Sequence, residues 1–189
     1  MKPFHADLNS LYDSGILKHH NGSVGEYIEY RLLGNLPNGK RGADHPEFEL
    51  KNTRFGTQMT LADLSDDYLC ETFRETHIYD KCKNVVYVPW DVINGEKVFC
   101  GFYHIKESSW QTFMNELETD WQLIKDYIDD NGLECLKTKA SSNFVKETKH
   151  LQLFRCRDRI STKTGRLRKP ALRIKIRWSL MKSLIENVE

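Results

Sequence analysis

Long apolar runs are missing from this chain of 189 residues, and no stretch approaches the length of a membrane span. The first residues carry no positively charged segment leading into an apolar one, so neither a secretion signal nor an anchor is expected, and the expected compartment is the cytoplasm. Cysteine is sparse: Cys70, Cys82, Cys100, Cys135 and Cys156 are odd in number and never spaced Cys-x-x-Cys. That argues against a disulfide framework and against structural zinc, and predicts free thiols in a reducing compartment. The seven histidines, His5, His19, His20, His45, His77, His104 and His150, never fall in a His-x-x-x-His spacing. Internal repeats and low-complexity tracts are also missing.

What is present suits one compact enzyme. A chain of 189 residues can bury a sizeable core as a single domain, here expected over 1–189 with a groove between two lobes. The net charge of +1 conceals a polarity along the chain. Residues 1–136 hold 13 Lys and Arg against 23 Asp and Glu, a balance of −10; residues 137–182 hold 15 against 2, a balance of +13; Glu186 and Glu189 complete the total. A basic block of that density is the electrostatic footprint of phosphate binding, although the same block holds apolar residues such as Leu151, Leu153, Ile174 and Ile176 that read as core. The expected division is a catalytic lobe over about 1–136 and a basic DNA-binding portion over about 137–185.

The periodicity predicts a mixed α and β domain. Apolar spacing with Ser23 as cap and Gly34 as stop predicts a helix, preceded by a short one near Asp7 to Tyr12. Glu49 to Lys51 reads as a strand, followed by a turn near Thr53 to Thr57. Two further strands are expected at Val85 to Val88 and Val98 to Ile105, flanking a loop with Asn94-Gly95. The strongest helical pattern runs from Ser109 to Tyr127, with Trp110, Phe113, Met114, Leu117, Trp121 and Ile124 on one face and Gly132 as the stop. A strand at Leu151 to Cys156 is expected in a loop-rich stretch, and a last helix after Pro170.

The chemistry concentrates in Gly42-Ala43-Asp44-His45-Pro46-Glu47-Phe48-Glu49-Leu50-Lys51. Strand alternation places Glu49 and Lys51 on one face and Leu50 on the other, so Asp44, Glu49 and Lys51 are expected to bring two carboxylates and an amine to one point. Such a group suits Mg²⁺, which takes one or two protein carboxylates, keeps waters and binds phosphate oxygens. Lys51 can then orient or help deprotonate the attacking water. The bare pattern is also common on solvated strand edges, so its surroundings decide. Upstream, Glu29 lies one turn beyond Gly25 on the Ser23 helix; downstream, Lys81 lies just before the Val85 strand.

Four ordered blocks carry a resemblance: Val24-Gly25-Glu26-Tyr27-Ile28-Glu29, the Asp44 to Lys51 motif, the run from Glu75 through Lys81 to Pro89, and a late pair formed by His150 to Arg155 and Ala171 to Ile185. In order and spacing they resemble the PD-(D/E)xK nucleases of the MutH-like and type II restriction endonuclease family, which includes MutH, MvaI and BcnI. The resemblance implies a restriction-endonuclease-like fold, a mixed sheet flanked by helices with a DNA cleft. It implies Asp44, Glu49 and Lys51 as catalytic core, Glu29 as supporting acid and Lys81 as second lysine. It also implies Mg²⁺ held by Asp44, Glu49 and the backbone carbonyl of Leu50. The gap from Asp44 to Glu49 is shorter than in MutH and resembles that of MvaI, and Asn52-Thr53-Arg54 departs from MutH's continuation.

The expected function is therefore Mg²⁺-dependent, sequence-specific cleavage of double-stranded DNA by a type II restriction endonuclease, monomeric or homodimeric, with a methyltransferase counterpart. A MutH-like mismatch-repair nickase and a catalytically inactive DNA-binding module of the same fold are the alternatives. The DNA contacts are expected from Arg155, Arg157, Arg159, Lys163, Arg166, Arg168, Lys169 and Arg173. Arg155, Arg157 and Arg159 alternate and would share one face of a strand. A guanidinium reading the O6 and N7 edge of guanine is the commonest specific contact.

Overall fold

A computed structural model describes residues 2–17, 23–34, 47–64, 69–139, 143–155, 159–160, 167–168 and 171–187. In chain order these form β1 (Lys2–Pro3), α1 (His5–Asp13), α2 (Ser23–Leu33), β2 (Glu49–Lys51), β3 (Met59–Asp63), a 3-10 turn (Phe73–Glu75) and α3 (His77–Asp80). Next come β4 (Asn84–Tyr87), β5 (Trp90–Ile93), β6 (Glu96–Phe99), β7 (Tyr103–Lys106), α4 (Glu107–Gln111), α5 (Met114–Asn131) and α6 (Leu133–Thr138). The chain continues through β8 (Leu151–Arg155), β9 (Arg159–Ile160), β10 (Leu167–Arg168), β11 (Leu172–Ile176) and α7 (Trp178–Glu186). The architecture is mixed α and β, with small sheets. Among the described residues no helix is long and apolar enough to cross a membrane.

The sheet that carries Glu49 and Lys51 has the order β2-β4-β7. β2 runs parallel to β4, with Glu49 opposite Val85, Leu50 opposite Val86 and Lys51 opposite Tyr87. β7 closes the other side of β4 in antiparallel register. Because side chains alternate across a strand, β4 serves two cores. Val85 and Tyr87 enter the larger core, built with Ile105, Trp110, Leu117, Trp121, Leu153 and Ile174. Val86, Val88 and Leu50 enter a smaller one, under Leu8 and Leu11 of α1 and Val24, Tyr27 and Ile28 of α2. The larger core draws on β3, α5, β8, β11 and α7, so apolar residues of the basic segment pack with those of the acidic one.

A second sheet has the order β3-β11-β8. Along β11, Leu172, Ile174 and Ile176 are buried while Arg173 and Lys175 face outward, the alternation of a sheet with one covered face. β8 is tied to α5 by Asp120, whose buried carboxylate accepts the backbone N–H groups of Lys149 (2.7 Å), His150 (2.5 Å) and Leu151 (2.8 Å).

Several elements differ from the sequence expectation. The stretch Val98 to Ile105 is two strands in different sheets, β6 and β7, broken at Cys100-Gly101-Phe102. The Tyr103 ring lies so close to Gly101 that any side chain there would collide with it, so the break is packed in place. Asn94 (φ +52°) and Gly95 (φ +81°) form the tip of a hairpin between β5 and β6, as two consecutive left-handed residues allow. The helix expected from Ser109 starts earlier, at Glu107, and is interrupted at Thr112–Phe113, where the Phe113 N–H bonds the Trp110 carbonyl three residues back and tightens the turn. Its stop at Gly132 (φ +75°) holds, and the short α6 follows directly. After Pro170 the chain enters β11, and the last helix begins only at Trp178.

Candidate active site

β2 places Glu49 and Lys51 on one face while Leu50 is buried in the opposite core, as the alternation predicts. Glu49 is buried, at 4 % exposure, and a carboxylate in that position requires compensation. Two ammonium groups supply it at a single oxygen. Lys51 Nζ lies 2.5 Å from Glu49 Oε1, and Lys81 Nζ lies 3.3 Å from the same atom. The second oxygen, Oε2, is buried and has no hydrogen-bond partner among the described residues. Among the described residues, Glu49 thus has two cations on one oxygen and an open acceptor at the other.

Lys81 reaches Glu49 because the chain before β4 is tightly pinned. The Thr76 hydroxyl donates to the Phe73 carbonyl (2.6 Å) and accepts the Tyr79 N–H (3.0 Å), which caps the single turn of α3. Thr72 and Glu75 form a capping box on the 3-10 turn, and Glu118 of α5 accepts the Phe73 N–H (2.6 Å). Lys81 is the residue after α3, three residues before β4. Its neighbour Lys83 is directed elsewhere, to Asp80 at 2.6 Å, so the two lysines of this segment have separate partners.

The backbone around Leu50 is oriented by the parallel ladder. The carbonyls of Lys51 and Thr53 accept from Val88 (2.8 Å) and Trp90 (3.1 Å), and alternation turns the Leu50 carbonyl away from β4. Glu29 is half-buried on α2, one turn beyond Gly25. A Cβ on Gly25 would lie 3.0 Å from Asn52 Nδ2, so glycine permits α2 to approach the end of β2. Asp44 and His45 lie outside the described residues. Among the described residues no group of three or more His, Cys, Asp and Glu converges as a metal cage.

Close to the Glu49 and Lys51 side chains lies Cys82, fully buried, its thiol pushed up to about 12 by burial, with the Lys51 charge only partly offsetting this. It stays protonated at neutral pH and is no nucleophile. An apolar cavity of about 440 Å³, lined by Ile28, Leu32, Val88, Phe99 and Phe102 among others, draws its walls from the core on the Leu50 side of the sheet. It therefore does not belong to the Glu49 cluster.

On the basic side, Arg155 ends β8 and donates its Nε–H to the Lys137 carbonyl at 2.5 Å. Arg173 on β11 is ion-paired with Asp63 on β3. Lys175, two residues on, lies 3.9 Å from the centroid of the Phe154 ring. Arg159 and Arg168 are backbone partners across the β9–β10 ribbon. Arg157, Lys163, Arg166 and Lys169 lie outside the described residues. β8 spans Leu151–Arg155 and Arg159 opens β9, which pairs with β10; the alternation of Arg155, Arg157 and Arg159 passes through residues 156–158, which lie outside the described residues. The position of Lys175 over the Phe154 ring, and the pairing of Arg173 with Asp63 across 110 residues, carried no local signal in the sequence.

No protein-family model matches the chain, and no curated protein matches it.

Proposed function

We propose that this protein is a Mg²⁺-dependent, sequence-specific DNA endonuclease that hydrolyses phosphodiester bonds, most closely a type II restriction enzyme with a restriction-endonuclease-like fold. The observation that carries the reading is the divided Glu49 carboxylate: Oε1 holds Lys51 and Lys81, and Oε2 is buried with no partner among the described residues. An open, buried carboxylate oxygen beside two ammonium groups fits a site that takes a cation and a phosphate together. A purely phosphate-binding module would gain nothing from a carboxylate there, since like charges repel unless a cation intervenes.

Glu49 Oε2 and the Leu50 carbonyl would hold a Mg²⁺ ion; Asp44, the further ligand the resemblance implies, lies outside the described residues. Bound Mg²⁺ supplies charge neutralisation and polarisation of the phosphate. Lys51 holds the attacking water in line and assists loss of its proton. Lys81 neutralises charge on the scissile phosphate. Burial of Glu49 keeps bulk water from competing for the same oxygen.

The DNA would be gripped by the basic segment. Arg159 and Arg168 are backbone partners in the β9–β10 ribbon. Lys175 and Arg173 line the outer face of β11. The partner is then double-stranded DNA, with a methyltransferase protecting host sites.

Digestion of supercoiled plasmids of known sequence with purified protein and Mg²⁺, followed by mapping of the ends, tests the reading. Linear fragments with a common end sequence are expected, and none in excess chelator. Open circles that never become linear would assign the MutH-like nicking activity instead; no cleavage with any metal, together with duplex binding, would leave a DNA-binding module.

A further inference from the structure

We propose that Lys81 is a lock on the Glu49 cation position and that DNA phosphate releases it, so that duplex and divalent cation bind with positive coupling; this rests on the endonuclease reading. The two lysines at Glu49 Oε1 are not equivalent. Lys51 sits two residues along the same strand, 17 % exposed, at 2.5 Å. Lys81 comes from a separate segment, is 26 % exposed, and stands at 3.3 Å. Lys81 is the longer, looser contact and the one that can swing away without disturbing β2.

While both ammonium groups stay on Oε1, a divalent cation at Oε2 meets two positive charges across a single carboxylate, and in a buried site that repulsion is weakly screened. A phosphate offers Lys81 a stronger charge-assisted acceptor than a carboxylate oxygen already shared with Lys51. Transfer of Lys81 to phosphate removes one of the two opposing charges and frees part of Oε1. The cation then binds more tightly, and by linkage the duplex binds more tightly once the cation is in place. In the resting protein the same contact keeps the buried carboxylate compensated and disfavours metal uptake without substrate. No atom or electron is exchanged in this step; only ion-pair partners change.

Isothermal titration of Mg²⁺ into the intact protein reads the lock directly, without turnover. Titrations of wild type, Lys81→Gln, Lys81→Arg and Lys83→Gln are run with and without a random-sequence duplex carrying a phosphorothioate backbone, after circular dichroism shows each variant folded. Without duplex, Lys81→Gln is expected to bind Mg²⁺ about tenfold tighter than wild type. Lys81→Arg, which keeps the charge, and Lys83→Gln, whose lysine belongs to Asp80, should match wild type. The duplex should raise Mg²⁺ affinity more in wild type than in Lys81→Gln. Equal affinities of wild type and Lys81→Gln without duplex, or an equal gain on adding it, would overturn the lock while leaving the nuclease intact. Failure of every variant to take up Mg²⁺, with or without duplex, would overturn the endonuclease reading as well.

Discussion

Glu49 and Lys81, 32 residues apart, meet at 3.3 Å on the oxygen that Lys51 also holds. Two cations drawn from different segments to one buried carboxylate make this the most polar point of the interior next to β2. Catalysis is expected to fail when any of the three loses its charge.

Glu49→Gln keeps the shape of the side chain and removes its charge. Cleavage in Mg²⁺ should fall by roughly a thousandfold or more, because the cation loses a ligand and both lysines lose their counter-ion. Lys51→Ala should do the same while the fold, checked by circular dichroism, is retained. Gel assays of plasmid cleavage at saturating protein read both; activity near wild type in either variant would remove Glu49 or Lys51 from the chemistry.

Lys81, on Glu49, and Lys83, on Asp80, test the proposed site against the surface beside it. Lys81→Ala should lower the single-turnover rate by roughly a hundredfold or more with duplex affinity changed much less. Lys83→Ala removes an exposed pair with Asp80 and should leave both nearly unchanged. Equal losses at the two positions would mean that the segment is only a basic surface.

The outer face of β11 can be tested by salt. If Lys175 neutralises a phosphate, Lys175→Ala should flatten the slope of log affinity against log salt by about 0.9. Arg173 is paired with Asp63, so Asp63→Ala should free it and raise affinity for random duplex. Fluorescence anisotropy across a salt series measures both, and unchanged slopes would place the DNA on another face.

Asp120 is structural. Its carboxylate accepts three consecutive N–H donors leading into β8, two of them buried, and Asp120→Ala strands them. A loss of roughly 3 kcal/mol in urea unfolding is expected, with DNA binding impaired only as folding is lost. A loss below about 1 kcal/mol would mean that solvent replaces the carboxylate at this site.

Acid stability should depend on Asp7. Hydrogen bonding from Arg31, and then from Tyr27, holds its carboxyl below the ordinary value of 3.8. The folded state therefore binds that proton less readily than the unfolded one, so its contribution is present above pH 3.8 and is lost as pH falls through the lower folded value. Tyr27, pushed up to about 12 by burial and then by Asp7, contributes in the opposite sense: fully below pH 10.0 and lost as pH rises to about 12. The Asp7 side chain is 42 % exposed, so Asp7→Asn should cost only about 0.5 kcal/mol at neutral pH, and it should flatten the acid limb of the stability curve. Denaturant midpoints across pH give the comparison; an unchanged acid limb would show that other carboxylates dominate it.

The sequence by itself determined what short-range periodicity can encode. Two-residue alternation set Glu49 and Lys51 against Leu50, helical spacing with Ser23 and Gly34 delimited α2, and Gly132 ended α5. Charge counting separated an acidic first part from a basic block without any coordinates. Only the tertiary structure decided which lysine meets Glu49, that Glu49 has one occupied and one open oxygen, and that Arg173 belongs to Asp63. It also decided that Val98 to Ile105 divides between two sheets, β6 pairing with the distant β1 and with β5, and β7 with β4. Each depends on groups far apart in sequence competing for one partner or one volume, and local propensity has no term for that.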